Sequence, residues 1–222
     1  MDLEQLRSEL SALIRLAKDG GLARQAKFRE APDLTREIKD LAFSGEGEPT
    51  RVRNFAECVR LVAEVKKTEQ LFQTKIILIT NATGLDKLDV KEGVGRMDAH
   101  QGEIWGKLDA GTEAYFKLVN RSRVRFSRIL RNLLETARVR PIVIQSLFLK
   151  VHGAPMPASE LAAYCDRLNE MNAAGAQVKE VHAYTVARPT PEAYATRLSR
   201  PELHKLAEVI RERTRLHVST FE

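Results

Sequence analysis

Residues 75–84 read Lys75-Ile76-Ile77-Leu78-Ile79-Thr80-Asn81-Ala82-Thr83-Gly84. Four apolar residues follow one another without the apolar–polar alternation of a half-exposed strand. Such a run suits a strand buried on both faces, as in a parallel sheet covered by helices. Asn81 and Gly84 then supply turn chemistry that stops it. Both flanks read as helices. Upstream, Phe55, Val59, Val62, Val65 and Phe72 recur on one side of a helix over about 53–72. Downstream, a weaker helix covers about 86–98.

The alternation extends in both directions. Ile38–Phe43, Glu103–Leu108, Pro141–Leu149 and Gln177–Thr185 read as further strands. Helices are expected over about 112–119, 123–138, 158–173 (introduced by Pro155 and Pro157) and 201–214. Leu216–Val218 reads as an edge strand. Five strands separated by helices call for a parallel sheet with helical crossovers. Ahead of them, Leu3, Leu6, Leu10, Leu13 and Ile14 define a helix over about 2–18 that Gly20-Gly21 ends. A polar, charged stretch follows to about Arg36. An α/β barrel begins with a strand, so a leading helix reads as a first β/α unit without its strand.

With 222 residues and 43% hydrophobic content, the chain is long and apolar enough for one domain with a sizeable core, which excludes general disorder. No run approaches the ~20 apolar residues of a membrane helix. Met1-Asp2-Leu3-Glu4-Gln5 lacks the basic-then-apolar pattern of a secretory signal, so a cytoplasmic location is expected. The two cysteines, Cys58 and Cys165, exclude CxxC-type zinc sites and a disulfide framework, and each suits a small buried hydrophobe in a helix. His100, His152, His182, His204 and His217 show no metal-ligand spacing, so no metal site is predicted. His152 and His182 lie at or near strand ends. The net charge of +6 is concentrated: Arg121, Arg123, Arg125, Arg128, Arg131, Arg138 and Arg140 crowd one segment beside a single Glu135. That segment suits either a solvated helix face or a nucleic-acid contact surface.

Ligands of parallel α/β folds bind at the carboxyl ends of the strands. Gly45-Glu46-Gly47-Glu48-Pro49 is the most informative of these ends. Two glycines permit positive φ and let a ligand approach the backbone, and Glu48 adds a carboxylate. This combination suits a ligand ammonium and repels a phosphate; it is also compatible with an ordinary acidic turn. Asp109 suits a ribose diol, or a Lys107–Asp109 pair filling a barrel layer, since Lys107 points to the same strand face. Asn81 suits an Asx turn as well as a ligand contact. Arg188 suits a carboxylate or phosphate, or a surface loop. No G-x-S-x-G nucleophile elbow occurs, and no residue is assigned a catalytic role.

In order, these motifs resemble those of radical S-adenosylmethionine enzymes. Ala42-Phe43-Ser44-Gly45-Glu46-Gly47-Glu48-Pro49-Thr50 is similar to the family's second-strand glycine–glutamate motif, and Ile79-Thr80-Asn81-Ala82 to its third-strand end. Lys107-Leu108-Asp109-Ala110-Gly111 with Val119-Asn120-Arg121 resembles the fourth-strand region. Ile144-Gln145-Ser146-Leu147-Phe148 and Tyr184-Thr185-Val186-Ala187-Arg188-Pro189 resemble the fifth and sixth. Within the family the sequence is most similar to iron–sulfur oxidoreductases related to wyosine-base synthesis. The likeness spans about 38–192, with 193–222 a C-terminal helix and tail.

The resemblance implies an incomplete TIM-like (β/α)6 parallel barrel over residues 1–222, here without its first strand. It implies S-adenosylmethionine on a 4Fe-4S cluster, cleaved reductively to a 5′-deoxyadenosyl radical. It also implies a reductase or flavodoxin-type electron donor and a small-molecule or RNA substrate. By position, Gly45, Gly47 and Glu48 would hold the methionine amino group. Asp109 would lie in the ribose region with Asn81 nearby. Gln145, Ser146, Tyr184 and Arg188 would line the cofactor or substrate cavity. The family's CxxxCxxC loop is absent, and Cys58 and Cys165 do not stand in for it. The helix at 2–18 would match the first barrel helix, directly after that loop. The expectation is therefore a family member whose 222 residues cannot perform the cleavage. The alternatives are a cluster-free module binding S-adenosylmethionine or another small ligand, and a basic RNA-binding protein using the Arg121–Arg140 surface.

Overall fold

Asp2 sets the first element: its Oδ1 accepts the amide hydrogens of Glu4 and Gln5, capping helix α1 (Leu3–Lys18). The computed structural model describes residues 1–25, 28, 37–45, 47–188 and 190–222. Most of the polar stretch before Arg36, together with Glu46 and Pro189, lies outside the described residues.

Six strands form the main sheet, in the order β1 (Asp40–Phe43), β2 (Lys75–Thr80), β3 (Gly102–Lys107), β4 (Ile142–Leu147), β6 (Val178–Tyr184) and β8 (Val218–Phe221). The β1–β2, β3–β4, β4–β6 and β6–β8 pairs are parallel. Strands β5 (Leu149–Val151) and β7 (Ala195–Arg197) pair antiparallel in a sheet of their own. Helices α2 (Phe55–Thr68), α3 (Leu88–Asp98), α4 (Glu113–Asn120), α5 (Phe126–Val139), α6 (Ala158–Ala173) and α7 (Arg200–Thr214) alternate with them. The expected α/β class with parallel strands is what the chain adopts. In β2, Ile76, Ile77 and Leu78 are all buried, as their unbroken apolar run required. No helix among the described residues is long and apolar enough to cross a membrane.

Contacts gather into two compact units, 1–79 with 86–103, and 80–85 with 104–222. In the first, Ile14, Leu61 and Val65 form a core with Leu3, Leu6, Leu10, Ile38, Leu41 and Leu71 packed around it. Each such burial contributes about 1.5–3 kcal/mol when complete. Gly93 lets α3 sit on α2, because an added Cβ would lie 2.6 Å from the Phe55 ring. Asp89 Oδ2 accepts the Phe55 amide at 2.8 Å and fixes the same crossing. Helix α2 stops earlier than its apolar pattern suggested. Leu71 N donates to Lys66 O, and Gln70 takes φ 56, closing the helix in a left-handed turn. Leu71 therefore reaches the core, and Phe72, expected on the apolar side, is 63% exposed.

In the second unit, the apolar face of α5 buries Phe126, Ile129, Leu133 and Ala137. Leu133 occupies the space that a side chain at Gly106 would need. The strand expected over 141–149 is two strands. Phe148 is buried against the Tyr164 ring, and its N–H donates to Tyr184 O. Beyond it the chain leaves the main sheet and pairs with Ala195–Arg197, a segment too short and polar to read as a strand from sequence. The edge strand lies at Val218–Phe221, later than the expected Leu216–Val218.

Candidate functional site

In the first unit, the turn after β1 is held at its outer end and open at its glycines. Glu48 Oε1 accepts the Thr50 hydroxyl at 2.6 Å and the Thr50 amide at 3.2 Å, starting a 3-10 turn at Pro49–Arg51. Thr50 is fully buried, and Lys87 Nζ donates to its carbonyl at 2.8 Å. Gly45 sits at φ +153, where a side chain would be strained. An added Cβ at Gly45 or Gly47 would meet nothing within 4 Å, so no packing contact calls for either glycine.

In the second unit, the residues picked from sequence separate by role. Asn81 Oδ1 accepts the Thr83 amide at 3.0 Å and its hydroxyl at 2.6 Å, an Asx turn. The next residue, Ala82, takes φ 62, and its carbonyl accepts from buried Asn132 Nδ2 at 2.8 Å. Asp109 is buried, its Oδ1 accepting the Leu147 amide at 2.8 Å and its Oδ2 the Asn120 amide group at 2.6 Å. It thus ties the end of β3 to the ends of β4 and α4. Burial pushes its carboxyl up, and the Leu147 and Asn120 hydrogen bonds and the Lys107 charge only partly offset this.

Gln145 and Ser146, adjacent in sequence, face opposite sides of β4. Ser146 is fully buried, its hydroxyl 2.7 Å from Tyr164 Oη on α6 and 2.6 Å from Leu108 O. Gln145 lies on the other face with Lys107 and His182 in register beside it. Sequence singled out Gln145 and put Lys107 and His182 near strand ends, but their alignment depends on register. Tyr184 is half-buried two residues beyond His182, and burial pushes its hydroxyl up. Arg188 is exposed in the loop after β6.

The arginine segment forms a groove. Arg123, Arg125, Arg128 and Arg131 line a cavity of about 680 Å³ with Val124 and Ser127. Arg121 pairs with Glu192, and Arg138 Nε donates to Ala174 O at 2.8 Å. Phe126, the aromatic within this run, is buried and stacks on Phe116, so it presents no ring to the groove.

Cys58 on α2 and Cys165 on α6 are both buried, and burial pushes both thiols up. Among the described residues no group of three or more His, Cys, Asp or Glu side chains is placed to hold a metal. A 4Fe-4S cluster held by three cysteines does not fit two buried helical thiols.

Parallel strands joined by helices, with polar residues at their carboxyl ends, define an α/β fold of the partial-barrel type. No family model and no curated protein matches the sequence. Among solved structures, the crystal structure of archaeal TYW1 matches with a TM-score of 0.56 at 16% identity, over 96% of this chain. The chain spans 64% of the length of that structure. At this identity the likeness is one of fold.

Proposed function

We propose that the chain binds S-adenosylmethionine through the Gly45–Glu48 turn, and that radical cleavage needs thiolates beyond its two cysteines. The observation that carries this reading is the open turn. Gly45, at φ +153, and Gly47 have no packing role, and Glu48 follows them with a carboxylate. Carbonyls and a carboxylate are the partners an α-ammonium group requires. Bound S-adenosylmethionine supplies a sulfonium and, when given an electron, a 5′-deoxyadenosyl radical; the turn's own task is to hold the amino-acid end. Calorimetric titration with S-adenosylmethionine tests the reading. Saturable binding is expected, weakened roughly 10-fold or more in Glu48→Gln, because a charge-assisted hydrogen bond contributes about 1.5–3 kcal/mol. The glutamine oxygen still accepts from Thr50, so the turn is retained. No heat at millimolar ligand, or unchanged affinity in the variant, overturns it.

A second reading, RNA binding, is favoured by the groove of Arg123, Arg125, Arg128 and Arg131. With Phe126 buried, contact would be to phosphates without base stacking, and so insensitive to sequence. The expected result is duplex-RNA affinity that falls steeply between 50 and 200 mM salt, about the range over which counterion release acts. Salt-independent or absent binding removes it.

A further inference from the structure

Three neighbouring strands of the second unit bring three polar side chains into one row. Lys107 on β3 is in register with Gln145 on β4, and Gln145 with His182 on β6. Adjacent strands lie about 4.8 Å apart, so the row is roughly 10 Å long. Ser219 extends it on β8. Trp105 lies on the same face two residues before Lys107. Its ring meets His182 edge-on at 4.8 Å, and the Phe221 ring lies 4.9 Å from the same imidazole.

His182 is oriented rather than merely packed. Its Nε2 lies 3.1 Å from Glu180 Oε1. The other Glu180 oxygen is held by the Ser219 hydroxyl at 3.2 Å and lies 3.3 Å from His217 Nδ1. Burial raises the Glu180 carboxyl, but His182, Ser219 and His217 outweigh it and hold the group ionised, below the usual range. The imidazole therefore gives its Nε2 hydrogen to Glu180 and turns Nδ1 elsewhere. Among the described residues, Lys107 Nζ, the Gln145 amide group and His182 Nδ1 make no hydrogen bond or ion pair. Lys107 and Gln145 are half-buried. Asp109, the nearest carboxylate in sequence, turns both oxygens to Leu147 and Asn120. Lys107, whose charge acts on the Asp109 carboxyl without a hydrogen bond to it, thus stands beside an amide and an oriented imidazole.

We propose that Lys107, Gln145 and His182 form a subsite for a small ligand bearing a carboxylate or phosphate group. Lys107 supplies charge, Gln145 an amide N–H, and protonated His182 an N–H from Nδ1, with Glu180 balancing the imidazolium. The charged and titratable groups around His182 are Glu180 on its own strand, Lys107 on β3, His217 beyond Glu180, and Tyr184. Of these side-chain types only imidazole ordinarily changes charge between about pH 5 and 8. Binding is accordingly tighter on the acid side of the histidine range. The subsite lies within residues 104–222 and is independent of the Gly45–Glu48 reading, since its test uses no S-adenosylmethionine.

Trp105 is the only tryptophan, so its fluorescence reports on the row directly. The full chain is titrated separately with inorganic phosphate and with succinate, at pH 5.5 and 7.5. A saturable fluorescence change with at least one anion is expected, tighter at pH 5.5. Saturation by one and not the other supports the subsite and assigns the oxyanion. Lys107→Met is expected to weaken binding at least 10-fold, and His182→Gln to abolish the pH difference. Gln145→Leu, which removes the amide without touching charge, should weaken binding several-fold and serves if either variant loses its native circular dichroism. No saturable change with either anion, or Lys107→Met and Gln145→Leu binding as tightly as the parent, overturns the proposal.

Discussion

At Gly111 an added Cβ would lie 2.1 Å from the Tyr164 backbone nitrogen. No rotamer change relieves a clash with backbone, so Gly111→Ala must push the loop after β3 away from α6. That loop is also held by buried Glu160, whose Oε1 accepts the Gly111 and Thr112 amides at 2.6 and 2.9 Å. Overpacking alone typically costs about 1–3 kcal/mol, and the lost hydrogen bonds add to it. The expected outcome is a lower urea midpoint with an unchanged slope; an unchanged midpoint would show that the loop yields freely. Gly111 and Gly47 look alike in sequence, yet one is fixed by packing and the other meets nothing. Asp109 reads as a ligand contact, and in the structure each of its oxygens accepts one hydrogen bond from the chain, from Leu147 and from Asn120. Residue type at a strand end was legible; whether its polar atoms face a ligand or the chain was not.

Helix α7 shows the same limits at the element scale. Its start was legible from Pro201, and the structure adds why it begins there. Ser199 N and Oγ both donate to Glu202 Oε2, at 2.7 and 2.6 Å, and Lys150 pairs with Oε1 at 2.9 Å. The hydrogen bonds from Lys150 and Ser199 hold Glu202 at about 2, well below the usual carboxylate range. A depressed folded pKa contributes stability that is complete above the unfolded value and lost as pH falls through the folded one. The helix start is therefore expected to loosen as pH drops from about 4.5 towards 2. Protection of the Ser199 amide relative to its intrinsic exchange rate should fall over that interval in the parent, and the fall should be absent in Glu202→Gln, whose side chain keeps an acceptor oxygen but does not titrate. The helices were legible to within a few residues because their apolar spacing is local. The β4–β5 break and the β5–β7 pair were not, because a three-residue strand is defined by its partner.

At the scale of the whole molecule, the two cysteines are the feature least like an iron–sulfur protein. Both are buried on helices with raised thiols. Native protein is expected to react slowly with Ellman's reagent at neutral pH, at both sites, and at the full rate once unfolded; a fast native phase would contradict the burial. Anaerobic iron–sulfide reconstitution of the 222 residues is expected to yield less than a stoichiometric 4Fe-4S cluster. The sequence by itself determined the α/β class, the element order and the shortage of thiolates, because apolar periodicity and cysteine count are local properties of the chain. Only the tertiary structure decided which parts of the chain the strand-end residues Asp109, Asn81 and Ser146 bind. It aligned Lys107, Gln145 and His182, residues 38 and 37 positions apart in sequence, through ladder register. Register depends on how whole strands pack, and a shift of one residue would turn all three side chains to the other face.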